Sequence, residues 1–272
     1  MKILRWFIMI SFVITTALFV IFFIGEKRTT DNTIPVIKVE GDLIEVSINA
    51  TNEELLKGVT AYDEKDKDLT DRVIIESVSK FIDEGVCKVV YAVCDNDKNV
   101  ANATRKIKYV DYESPKYSVN KSLCFSIYDK VNISQAIHAV DCIDGDITRS
   151  IIVTSEDFTG SVVGVYSIDV SVTNSKGDIS NIKLPLVVED RSLSAPEIEL
   201  SQYLVYTKIG EEIDFKSFIS SVESKTQQEL PVESVRVESD ININEAGTYA
   251  VHYYVLDSKG VQGHTILNVI VG

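Results

Sequence analysis

Three stretches alternate apolar and polar residues almost without a break: Gly85–Asp95, Gly164–Asn174 and Gly247–Asp257. Each opens with Gly-x-(aromatic or Cys), and the opening glycines lie 79 and 83 residues apart. A period of two places every second side chain on one face of a strand. Tyr, Val and Ile are therefore expected to line a core, while Lys88, Ser167 and His252 face out. A polar turn follows each run, at 95–99, 174–177 and 257–260. A second apolar strand comes next, carrying Ile107 and Tyr109, then Leu184 and Leu186, then Ile266 and Val269. Each repeat thus closes with a hairpin. Pro185 has no N–H to donate, which predicts an edge position for that strand at that point.

The N-terminal pattern differs. Trp6–Gly25 contains no charge and is flanked by Lys2 and Arg5 before it and by Glu26, Lys27 and Arg28 after it. Twenty residues at 1.5 Å rise cover the ~30 Å hydrocarbon core of a bilayer. A cleaved signal peptide is the main rival, but its apolar region is shorter and ends in small residues. Here Phe22, Phe23 and Ile24 close the run, and cutting after Thr15-Thr16-Ala17 would leave LFVIFFIG exposed. The expectation is an uncleaved signal anchor over residues 1–28. Positive charge favours, slightly, a cytoplasmic N-terminus, with the bulk of the chain extracellular. A polar stalk is expected over 26–33.

The repeats also share their openings, Pro35-Val-Ile, Pro115-Lys-Tyr and Pro196-Glu-Ile. Repeats one and two then carry an acidic turn leading into a strand, around Asp63, Asp66 and Asp68 and around Asp141, Asp144 and Asp146. The third has instead the loop 223–229. About seven short strands per repeat, with no long amphipathic helix, is the pattern of a small antiparallel sandwich. Each repeat resembles a bacterial immunoglobulin-like surface domain, of the kind also found in pesticidal crystal proteins. The residues that carry this are GVTAYDEKDKDLT (58–70), AVDCIDGDIT (139–148), the Gly-x-Tyr strand starts and VLDSKG (255–260). Repeat one departs from it with Cys87 in the aromatic position, and repeat three lacks the acidic turn. The resemblance implies surface display with adhesion or spacing roles and implies no enzyme activity. The fold class expected is all-β: one transmembrane helix, then three tandem immunoglobulin-like sandwiches over 34–112, 113–191 and 195–272.

Charge narrows the partners. The chain has 27 Lys+Arg against 41 Asp+Glu, a net charge of −14 over 272 residues. Without residues 1–28 the balance is −17, so the sandwiches are more acidic than the whole. Nucleic acid needs clustered positive charge and is excluded as a partner. The acidic turns supply closely spaced hard oxygen ligands, which makes Asp63, Asp66, Asp68, Asp141, Asp144 and Asp146 a candidate Ca²⁺ set, with Asp95 and Asp97 able to join the first group. Asp and Gly also shape tight turns by bonding their own backbone, and no Glu completes an EF-hand, so turn geometry is the leading reading of both loops. Paired carboxylates acting on glycosides would need aromatic walls, yet the only Trp is Trp6.

Four cysteines in an extracellular chain raise the question of disulfides. Cys87 and Cys94 share a strand and stand about 23 Å apart, too far to bridge. Cys124 is expected to face out beside inward Leu123, Phe125 and Ile127, and Cys142 lies on an acidic loop. The expectation is Cys87 in a core and the others free, with Cys87–Cys142 the least implausible bridge. Cys/His spacing suggests no zinc, and His138, His252 and His264 read as ordinary strand or surface residues. No phosphate-binding glycine motif occurs. The functional expectation is a non-catalytic, membrane-anchored surface protein binding a protein or an envelope polymer. The alternative is an accessory subunit docking on a membrane enzyme or a secretion or transport machine.

Overall fold

A computed structural model of the chain describes residues 2–29, 33–154, 160–225 and 230–272. The chain divides into two compact units, 1–111 and 112–272. The first opens with α1 (Lys2–Thr29). The helix therefore runs through the first residues of the expected stalk, and residues 30–32 lie outside those described.

The remainder of the first unit holds β1 (Val36–Val39), β2 (Leu43–Val46), α2 (Asn52–Leu56), β3 (Val59–Asp63), β4 (Lys67–Asp68), β5 (Ile74–Val78), β6 (Val86–Cys94) and β7 (Val100–Tyr109). Two sheets form, ordered β1-β3-β4 and β2-β7-β6-β5. All pairings are antiparallel except β2 with β7. The predicted alternation is realised on β6, where Cys87, Val89 and Tyr91 are fully buried and Lys88 is exposed. They pack with Ile107 of β7 and with Leu55, which α2 supplies. That helix has a capping box, Thr51 receiving the Glu54 N–H while Glu54 receives that of Thr51.

The second unit repeats the plan. It contains β8 (Lys116–Val119), β9 (Cys124–Ser126), β10 (Ile137–Asp141), β11 (Gly145–Asp146), β12 (Ile152–Thr154), β13 (Gly164–Thr173) and β14 (Ile179–Glu189). Then follow β15 (Glu197–Leu200), β16 (Leu204–Thr207), β17 (Ile219–Glu223), β18 (Arg236–Ser239), β19 (Gly247–Leu256) and β20 (Gln262–Val271). The sheets are β11-β10-β8 with β12-β13-β14-β9, and β15-β17 with β16-β20-β19-β18. The second repeat reproduces the orders of the first, and the third keeps the four-stranded sheet but has only β15 and β17 in the smaller one; each larger sheet has a parallel edge strand, as in a multi-domain β-sandwich. Most of the loop 223–229 lies outside the described residues. At Pro185, β14 is an edge on its β9 side, because β9 pairs only with Val187–Glu189.

Repeats two and three share one continuous apolar core, which includes Ile168, Leu184 and Leu186 from β13 and β14 and Val251, Ile266 and Leu267 from β19 and β20. Each such side chain, removed from water, contributes about 1.5–3 kcal/mol of transfer free energy. Within the third repeat, a Cβ on Gly263 would lie 2.2 Å from the Pro196 carbonyl oxygen, so only glycine fits there.

Candidate functional site

The three closing hairpins are built alike. Asp95, Asn174 and Asp257 each donate their N–H to the carbonyl four residues on, at 3.1, 3.1 and 3.0 Å. Each also accepts the N–H of that same residue on a side-chain oxygen, at 2.7, 2.9 and 2.8 Å. One Asx residue per repeat thus fixes the turn from both ends.

The two acidic loops match in the same detail. Asp63 Oδ1 accepts the N–H groups of Lys65 and Asp66 at 2.8 and 2.9 Å, and Asp141 Oδ1 accepts those of Ile143 and Asp144 at 2.9 Å. Asp68 and Asp146 each accept the N–H two residues on, from Thr70 and Thr148, at 2.9 Å. Asp66 reaches the facing hairpin, where Asn96 donates from its backbone and its amide at 2.8 and 2.7 Å. Asp144 takes the backbone N–H and hydroxyl of Ser175 at 2.6 and 2.7 Å. The loop and the hairpin therefore do meet at one end of each sandwich. Asp97 pairs with Lys65 at 2.5 Å, and Asp95 is buried in its own turn. Hydrogen bonding favours the charged form: the Asp66 N–H foremost holds Asp63 below its ordinary range, and Thr70 and Thr148 do the same for Asp68 and Asp146.

A different cluster joins repeats two and three, and the sequence reading missed it. Cys124 is buried, not outward-facing, and so is Ser126. On β9 the face turned away from the sandwich interior is covered by the third repeat. His264 of β20 is only 6% exposed, and its Nδ1 lies 3.3 Å from Cys124 Sγ and 2.9 Å from Glu189 Oε2. Its Nε2 lies 2.9 Å from His252 Nδ1 on β19. His252 and His264 are thus no ordinary surface pair. Tyr254, the register partner of His264, stacks on its ring at 4.4 Å between centroids. Arg191 closes the group. Its Nη1 is 3.3 Å from Glu189 Oε1 and donates to the His264 carbonyl, and its Nη2 donates to the Cys124 carbonyl. Burial foremost, with Glu189 adding, pushes the Cys124 thiol well above its ordinary range, and burial lowers His252. Among the described residues, Cys124, Glu189 and His264 form the group of metal-ligating side chains whose ligand atoms all lie within 4.8 Å of one another. A spacing of 140 residues between Cys124 and His264 leaves no local motif to read. No disulfide forms among the described residues, the Cys87–Cys142 bridge included: Cys87 and Cys124 are buried, Cys94 and Cys142 exposed.

In the first unit, a recess of about 590 Å³ is lined by Glu40, Glu45, Glu54 and Arg105, among others. The Arg105 guanidinium is spent on the fold, donating to the carbonyls of Leu55, Lys57 and Glu40 and to the Tyr91 hydroxyl.

Comparison with known proteins gives distant likenesses. No family model matches the sequence. An uncharacterized 81.3 kDa protein of Acholeplasma phage L2 is 29% identical over 136 residues, covering 49% of this chain and 18% of the phage protein. Internalin I of Listeria monocytogenes serotype 4b (strain F2365) is 26% identical over 258 residues, covering 90% of this chain and 14% of that protein. The chain thus spans less than a fifth of the length of these relatives. Among solved structures, CBM51-2 in complex with GlcNAc and INT domains from Clostridium perfringens ZmpB matches at 20% identity and a TM-score of 0.23, covering 56% of this chain and 27% of that one. The protocadherin GammaB4 extracellular domain matches at 13% identity and a TM-score of 0.21, covering 89% and 49%.

Proposed function

We propose that the chain is a non-catalytic arm held in a bacterial cell membrane by α1, with its sandwiches outside the cell as spacer, adhesion or binding modules. The observation that carries this reading is the helix itself. Residues Arg5–Ile24 have a mean hydropathy of 2.8, and none of that span is buried against the rest of the chain. Trp6, Phe12, Phe19 and Phe22 are 66 to 71% exposed. Water-soluble surfaces rarely carry an apolar patch of that size, and twenty helical residues match the hydrocarbon thickness of a bilayer. The likeness to part of Internalin I supports reading the repeats as modules of a kind used within larger chains. The acidic sandwiches and the Asx-capped loops, whose polar groups serve the turns, favour a protein or envelope-polymer partner.

Topology tests this reading directly. Cys94 and Cys142 are exposed thiols on the sandwiches. In intact cells producing the full chain, a membrane-impermeant maleimide is expected to label both, and the chain to stay in the membrane fraction. Labelling only after lysis would overturn the extracellular placement, and release into the medium would overturn the anchor. Retention of the detergent-solubilised chain on isolated cell walls then tests the polymer partner.

A further inference from the structure

We propose that Cys124, Glu189 and His264 form a binding site for a thiophilic divalent cation of the Zn²⁺ class, which clasps the second repeat to the third. Three observations meet here. First, the donor set is one thiol, one imidazole and one carboxylate, the ligands that borderline-soft Zn²⁺ takes. Second, the spacing fits. Sγ to Nδ1 is 3.3 Å, Nδ1 to Oε2 is 2.9 Å, and one ligand atom from each of the three residues lies within 4.8 Å of the others. A tetrahedral Zn²⁺ with ordinary bond lengths needs ligand edges of about 3.3–3.6 Å, which the Sγ–Nδ1 edge already meets and the Nδ1–Oε2 edge reaches by opening about half an ångström. Third, the surroundings are those of a supported site. His264 turns Nδ1 to the cluster while Nε2 meets His252 Nδ1 at 2.9 Å, the outer contact that sets a ligating imidazole's tautomer and orientation. Tyr254 stacks on the ring and holds its plane.

Arg191 is compatible with the ion. It engages Glu189 Oε1, the oxygen turned away from His264, and leaves Oε2 directed at the cluster. A divalent cation balances one thiolate and one carboxylate, and the thiol proton leaves to solvent on binding. Glu189 is partly exposed and gives the entry side, where water completes the fourth position. The ligands come from β9, from the end of β14 and from β20, so the ion crosslinks two repeats within the second unit.

The test uses the full-length chain in detergent micelles, stripped of metal under reducing conditions and titrated with Co²⁺ and then Zn²⁺. The expected result is one Co²⁺ per chain with a thiolate-to-cobalt charge-transfer band and the visible bands of a tetrahedral ion, both bleached by Zn²⁺. Cys124→Ser removes the charge-transfer band, whereas Cys94→Ser and Cys142→Ser leave it. Glu189→Gln, at a partly exposed position that leaves the core intact, weakens Zn²⁺ binding by about tenfold or more. Absence of the band in the unaltered chain overturns the site and leaves a hydrogen-bonded network only. A band that survives Cys124→Ser overturns it as well. Zn²⁺ at a hundred times its dissociation constant should raise the melting temperature of the unaltered chain, and an unchanged melt at that concentration counts against the clasp.

Discussion

Asn174 donates from Nδ2 to Asp141 Oδ2 across 3.0 Å, tying the acidic loop of the second repeat to its closing hairpin. Asp141 is 2% exposed, and its other oxygen holds two backbone N–H groups. Asp141→Ala therefore strands three donors at once. The expected loss is about 2–3 kcal/mol, read as a fall of roughly 5–10 °C in the melting of the second unit. A fall within about 1 °C would mean that water replaces the carboxylate freely.

The same loop turns through a left-handed residue, Gly145 at φ +71, where the first repeat uses Lys67 at φ 67. A Cβ on Gly145 meets nothing within 4 Å, so Gly145→Ala is a backbone test alone. It should cost about 1–2 kcal/mol. Lys67→Gly should move the other way by at most about 1 kcal/mol. Amide exchange at the two turns, measured by mass spectrometry on the full chain, compares the pair. Equal protection in both variants would remove the strain argument.

Arg105 is 2% exposed and faces carbonyls and the Tyr91 hydroxyl in place of a carboxylate. Arg105→Met leaves several buried acceptors without donors and should cost about 3 kcal/mol or more in the first unit. Tyr91→Phe, which removes one donor to the Leu55 carbonyl, should cost about 1 kcal/mol. Chemical denaturation followed by segment-resolved exchange separates the two, and a milder effect for Arg105→Met than for Tyr91→Phe would contradict this assignment.

Strong acid should weaken the loops. Asp63, Asp68 and Asp146 sit below the ordinary carboxyl value of 3.8 because backbone and threonine donors favour their charged forms. A lowered value means that the folded chain binds these protons less readily than the unfolded one. Their contribution is thus present above pH 3.8 and is lost as pH falls through the lowered values. Carboxyl-carbon NMR titration of the full chain is expected to give midpoints below 3.8 for all three. Midpoints at or above it would remove the loops as a source of acid sensitivity.

Much of this architecture is written locally. Period-two alternation placed Val89, Tyr91, Ile168 and Val251 inside, and all four are buried. The Asx residues at 95, 174 and 257 marked turns because a side chain two atoms from its own backbone can cap only nearby amides. The unbroken apolar run marked α1, since a helix closes its own hydrogen bonds within the segment. The sequence also put Asp95 and Asp97 within reach of the first acidic loop, and that loop does meet its hairpin through Asp66 and Asn96.

Cys124, His252 and His264 were legible only in three dimensions. Alternation states which face of a strand enters its own sandwich, and it is silent on whether a neighbouring repeat covers the other face. In the second unit that face is covered: one core runs through repeats two and three, and residues 140 positions apart in the chain come within 3.3 Å. Local periodicity decides strands and turns because its physics reaches a few residues. The pairing of a thiol, an imidazole and a carboxylate at the junction depends on how two finished sandwiches pack, and only the tertiary structure decides that.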